Sequence, residues 1–264
     1  MNPQYIKEIE IKFETASEVP PPFCHYYHLK FKSDNDKWFC TFEWKYHNRG
    51  ELTIEEINDE GFNENDDYEW QGEINQKLID EIINKFSKIN LLPEKENIPP
   101  NQNYLHIAII DFKEIIQEGI PKGQIEYEYF LQEVIQGIYE LSGKERPLEI
   151  NYIRNLGGDK FEKIKLQLNF SVREVNVSIK TDKKADFIRT NIPWQQGQEV
   201  INQVFNLDFD SNSEDLKDIE PSQKGIFIET GDGLWYEMGK SVKNFSKKRD
   251  DLLHVEKIFS DLIR

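Results

Sequence analysis

A chain of 264 residues, 38% hydrophobic and 12% aromatic, can build one large core or two ordinary ones, and this excludes global disorder despite 31% charged residues. With 49 acidic against 33 basic side chains the formal charge is −16, a field that repels phosphate backbones and anionic membrane surfaces. Cys24 and Cys40 are too few for a disulfide scaffold, and no apolar run approaches the roughly 18 residues of a membrane span.

Residues 1–8, Met-Asn-Pro-Gln-Tyr-Ile-Lys-Glu, lack the basic region and apolar core of a secretion signal, so a cytoplasmic location is expected. A first strand is expected over about residues 5–13, with Ile9, Ile11 and Phe13 on one side and Glu8, Glu10 and Lys12 on the other. After Pro20-Pro21-Pro22 comes a hairpin over residues 23–47 with Asp34-Asn35 as its two-residue turn. That turn pairs Phe31 with Trp38, Leu29 with Cys40, Tyr27 with Phe42 and His25 with Trp44, leaving Lys30, His28, Glu43 and Lys45 on the opposite face. A loop at Asn48-Arg49-Gly50 extends this to a three-stranded meander by pairing Tyr46 with Leu52 and Trp44 with Ile54.

An acidic loop, residues 55–69, leads to a helix with Ile74, Leu78, Ile82, Ile83, Phe86 and Ile89 at helical spacing. Residues 92–103, with three prolines, read as a loop, and 104–110 as a buried strand. A turn is expected at 119–123, then a helix near 126–141. In the second half Leu148, Ile150 and Tyr152 are expected to pair with Leu168, Leu166 and Ile164. Val175, Val177 and Ile179 alternate next, and Trp194 opens a short helix. A second acidic loop covers residues 208–220, a hairpin turns on Gly231-Asp232-Gly233, and a last helix spans about 246–263.

The expected fold is therefore α+β, with two antiparallel meanders each followed by an amphipathic helix. Trp70-Gln71-Gly72 and Trp194-Gln195-Gln196-Gly197 open similar stretches, as a divergent tandem duplication would produce. The halves are placed at 1–122 and 123–264, forming two units or one continuous domain.

No catalytic or cofactor motif is specific. Gly239-Lys240-Ser241 lacks the glycine a phosphate loop needs at residue 234, which is Leu234. Cys24 and His28 share a strand face while His25 and Cys40 point the other way, so they do not converge as zinc ligands. Phe42-Glu43-Trp44-Lys45 matches the core of a metal-dependent nuclease group but has no acidic partner nearby. The stretches starting at Asp208 and Glu56 depart from a calcium loop at its glycine, its terminal glutamate or its opening residue. Neither metal nor cofactor is assigned. Lys243, Lys247, Lys248 and Arg249 form a local basic cluster, read as partners for the acidic loops or as a small anion contact.

The function expected from these residues is binding. An inhibitor or immunity-type module would engage a basic protein through Asp59, Glu60, Glu64, Asp66, Asp67 and Glu69 of the first acidic loop and Asp208, Asp210, Glu214 and Asp215 of the second, with no nucleic acid or membrane as partner. The alternative is a hydrolase whose site is assembled from distant residues, with Asp111, Glu43, His28 and His106 as candidates.

Overall fold

The computed structural model describes residues 2–94, 97–158, 160–183, 185–213, 216–245 and 250–263. The protein is mixed α+β, built from antiparallel sheets and helices. It divides into two compact units, residues 1–145 and 146–264.

In the first unit, strands β1 (Ile6–Glu14), β2 (His25–Asp34) and β3 (Lys37–Tyr46) precede a short helix α1 (Ile54–Asp59) and strand β4 (Tyr68–Glu73). Helix α2 (Gln76–Ser87), strands β5 (Leu91–Leu92), β6 (Tyr104–Asp111) and β7 (Ile116–Pro121) and helix α3 (Gln124–Ser142) complete it. The strand order is β4-β3-β2-β1-β6-β7-β5. One sheet face carries Ile9, Ile11, Leu29, Phe31, Cys40 and Phe42, all at most 1% exposed, and packs with Leu78, Ile82, Leu131 and Val134 of the helices. Removal of this apolar surface from water is the main stabilising term, roughly 1.5–3 kcal/mol for each large side chain. The other face is open to solvent and laced by ion pairs, among them Lys30–Glu8 at 2.8 Å and His28–Glu10 at 2.7 Å.

The β2–β3 hairpin corrects the expected register. The turn residues are Asn35 and Asp36, both at positive φ (50° and 63°), and Asp34 faces Lys37. Each partner therefore shifts by two: Phe31 faces Cys40 and Tyr27 faces Trp44. A shift of two preserves the faces, so the apolar sorting holds although the pairs differ. The third strand of the expected meander is also corrected. Leu52 and Ile54 are not in a strand; Thr53 caps α1, and β3 pairs instead with β4, Phe42 facing Trp70. Gly119, read as part of a turn, lies inside β7 at φ 146°, where a Cβ would meet the Leu92 carbonyl oxygen at 2.2 Å.

In the second unit, strands β8 (Leu148–Gly157), β9 (Lys160–Asn169), β10 (Glu174–Lys180) and β11 (Ile188–Ile192) are followed by helix α4 (Trp194–Phe205) and strands β12 (Leu207–Phe209), β13 (Gly225–Glu229), β14 (Tyr236–Glu237) and β15 (Val242–Asn244), then helix α5 (Asp251–Asp261). The six-stranded order is β11-β10-β9-β8-β13-β14, and β12 pairs with β15. The expected pairing of Leu148, Ile150 and Tyr152 with Leu168, Leu166 and Ile164 is found. Tyr152 stacks on Phe259 of α5 with ring centroids 4.3 Å apart. The start of the expected last helix, residues 246–249, lies outside the described residues, and with it Lys247, Lys248 and Arg249 of the basic cluster.

The division falls after Glu145 and not at 122/123, because α3 contributes Phe130, Leu131, Val134 and Ile138 to the first core. The two Trp-Gln openings take different structures: Trp70 is mid-strand in β4, whereas Trp194 is the first residue of α4.

Candidate functional site

Charge is divided unequally between the units. Residues 1–145 hold 29 acidic and 14 basic side chains, net −15, while residues 146–264 hold 20 and 19, net −1. Within the first unit, nine of the nineteen residues from 51 to 69 are acidic and none is basic. This segment joins β3 to β4, two strands that lie side by side.

Arg49, the only lysine or arginine between Lys45 and Lys77, anchors the segment at its root. Its guanidinium carbon lies 3.8 Å from the Tyr46 ring centroid and 4.8 Å from that of Phe62. Its Nε donates to the Pro22 carbonyl at 3.0 Å, and Nη1 donates to the Asn63 carbonyl at 3.1 Å and pairs with Asp66 at 3.4 Å. Asp66 accepts from the Asn63 amide at 2.7 Å and from Asn63 Nδ2 at 3.1 Å. Partial burial opposes ionisation of Asp66, but the Asn63 hydrogen bonds and Arg49 outweigh it and hold the carboxyl below the usual aspartate range. Asp67 accepts from the Tyr46 amide at 2.9 Å and closes the return into β4.

Between these anchors Thr53 and Glu56 form a reciprocal capping box, Thr53 N donating to Glu56 Oε2 at 2.8 Å and Glu56 N to Thr53 Oγ1 at 3.3 Å. The Thr53 amide and hydroxyl hold the Glu56 carboxyl below its usual value. Ile57 is buried at 4% exposure, and the Phe62 amide returns to the Ile57 carbonyl at 3.1 Å. The acidic segment is thus a fixed structure, and its carboxylates divide by role. Asp66 and Asp67 hold the fold. Glu69 lies 3.4 Å from Lys45. Asp59, Glu60 and Glu64 are exposed, with no cation within ion-pair distance among the described residues, and Ile54, the first residue of α1, is 56% exposed.

The second acidic loop is differently placed. Asp208 faces Lys243 across the β12–β15 pair, and Asp210 accepts from the Asn212 amide at 3.1 Å. Glu214 and Asp215 lie outside the described residues. The two loops belong to different units.

The residues of the enzyme alternative are dispersed. Glu43, His28, Lys12 and His106 face one another in turn across β3, β2, β1 and β6. Three strand spacings of about 4.8 Å put Glu43 and His106 about 14 Å apart. Glu43 pairs with Lys45, His28 Nε2 lies 2.7 Å from Glu10, and His106 stacks on Tyr104. Asp111 is buried at the end of β6, where one carboxylate oxygen accepts from the Lys113 and Ile115 amides at 2.7 and 2.9 Å and fastens the β6–β7 turn. Clefts of ligand size lie elsewhere. One of about 640 Å³ adjoins the start of α3, and one of about 460 Å³ lies between Arg154, Glu162 and Glu256.

Among the described residues no group of three His, Cys, Asp or Glu side chains converges as a metal ion requires, and no helix is long and apolar enough to cross a membrane. Gly239-Lys240-Ser241 forms the turn from β14 to β15, with Ser241 Oγ accepting from the Glu237 amide at 2.8 Å. Sequence reasoning missed Arg49. Its signal was isolation, one cation in a long acidic stretch, and the Thr53-x-x-Glu56 pattern marked the helix that follows. Comparison with protein-family models, with curated proteins and with solved structures finds no match to this chain.

Proposed function

We propose that this protein is a binding module of the inhibitor or immunity type, which presents the acidic segment 51–69 to a basic partner protein in the cytoplasm. One observation carries this reading: the segment is fixed by Arg49, the capping box and Asp67 while Asp59, Glu60 and Glu64 stay exposed. A preorganised surface loses little conformational entropy on association, and charge complementarity raises the encounter rate and selects the partner. Ile54, exposed at the start of α1, offers an apolar contact within the same segment. The loop at residues 208–220 belongs to a unit of balanced charge and is a secondary contact in this reading.

The two units are further proposed to be divergent copies of one plan. In its support, each unit runs through four successively paired antiparallel strands, a helix, a short strand, two strands on the far side of the first strand, and a closing helix, with α1 added in the first unit and β15 in the second. On this plan the acidic segment between β3 and β4 corresponds to the segment between β10 and β11.

The binding reading is tested by titrating a labelled lysine-rich peptide against two triple variants of equal charge change. Asp59→Lys, Glu60→Lys, Glu64→Lys is expected to weaken binding at least tenfold at low salt. Glu18→Lys, Glu118→Lys, Glu145→Lys, at exposed sites elsewhere in the unit, is expected to weaken it far less. Equal losses from the two variants would refute the segment as the interface.

A further inference from the structure

The second unit carries a surface of the opposite sign. On the outer face of its sheet Lys163 sits directly opposite Lys180, and Lys165, Ser178 and Arg189 form the neighbouring row across β9, β10 and β11. The ammonium groups of Lys163, Lys165 and Lys180 lie 5.9, 5.7 and 5.7 Å from the centroid of one ring, Phe187. Like charges directly opposed in a sheet are destabilising, so this clustering needs a compensating anion. The chain supplies one: Glu220 pairs with Lys163. The stretch around Glu220 is held against the same face by Asn155, whose Nδ2 donates to the Ser222 and Gln223 carbonyls at 3.0 and 2.9 Å. Among the described residues Lys165, Lys180 and Arg189 have no carboxylate within ion-pair distance, and Lys165 and Arg189 are exposed.

The adjacent strand completes the surface. β11 is the outermost strand of the sheet, extended over five residues, of which Ile188, Arg189, Thr190 and Asn191 are exposed. Such an edge accepts a further strand through its free backbone groups, and alternate side chains of the added strand then fall on one sheet face. On the outer face they would lie beside Arg189, with Lys165 in the same row.

We propose that the outer face of β9–β11 is a docking surface for an acidic, extended segment of a partner protein, added along β11 with its carboxylates beside Arg189 and in the field of the Lys180 and Lys165 ammonium groups on the two strands further in. This surface is independent of the acidic segment of the first unit.

The test uses the full chain and a labelled eight-residue peptide alternating glutamate with valine, read by fluorescence anisotropy at 50 and 300 mM salt. The peptide is expected to bind, weaken with salt, and lose at least tenfold in affinity in the Lys165→Glu, Lys180→Glu variant. The milder Lys165→Gln, Lys180→Gln pair is expected to lose severalfold and guards against a folding defect in the reversal. The Asp59, Glu60, Glu64 reversal is expected to leave this affinity undiminished, so failure here and failure of the acidic interface are separable. No binding, or binding unchanged by both lysine variants, would overturn the proposal. So would an oligothymidylate probe that binds more tightly and is lost with the same substitutions, because the face would then be reading phosphates.

Discussion

Arg49 shows how one side chain converts an acidic stretch into a shaped surface. Cation–π contacts and charge-assisted hydrogen bonds meet on one guanidinium, whose planar fork a lysine cannot reproduce. Arg49→Lys is expected to cost about 1–3 kcal/mol in denaturant unfolding and to increase hydrogen exchange across residues 51–69. Asp66 reports the same anchor through pH. Its folded carboxyl titrates below the ordinary aspartate value of about 4, so its contribution is fully present above that value and is lost as pH falls through the lowered one. The stability gap between wild type and Asp66→Asn is therefore expected to be largest near neutrality and to close in acid; a gap that widens on acidification would contradict the assignment. None of this was legible from composition. The stretch reads as a solvated loop because Phe62 and Pro22, which meet Arg49 beside Tyr46, are thirteen and twenty-seven residues away in sequence.

Elements were legible where one periodicity dominated. The β8–β9 register follows from three apolar pairs, and α3 from its stripe of Phe130, Val134 and Ile138. They were illegible where a local rule competed with alternation. Leu52 and Ile54 continue an alternating pattern, yet Thr53 and Glu56 start a helix at Ile54, and the capping box prevails. Thr53→Ala is expected to cost about 1 kcal/mol and to fray α1, seen as faster exchange at Ile57. Gly197 lies where α4 presses on the sheet; a Cβ there would meet Val175 at 2.4 Å and Leu168 at 3.1 Å. Gly197→Ala is expected to destabilise the second unit by about 1–3 kcal/mol, the usual cost of overpacking. The Gly197 requirement is tertiary, and no sequence pattern around Trp194 announces it.

For the whole molecule, the net charge of −16 conceals a partition. One unit carries nearly all of it, and the other is balanced, with a cationic patch across β9–β11. Total composition suggested an acidic surface in general and gave both acidic loops equal weight; the division at residue 145 assigns that weight to the first. The two cores draw on separate residues, so each unit is expected to unfold as its own cooperative body. Phe259→Ala, which removes the ring stacked on Tyr152, is expected to cost about 3–5 kcal/mol and to lower exchange protection within residues 146–264 alone. Whether the first unit presents a preformed acidic surface to a basic partner is decided by the hydrogen-exchange footprint of the full chain with and without a saturating lysine-rich peptide. Slow exchange through residues 51–69 is expected before the peptide is added, with further protection concentrated there afterwards and removed by salt. Rapid exchange in the free protein, or protection centred elsewhere in the unit, would contradict a preformed acidic interface.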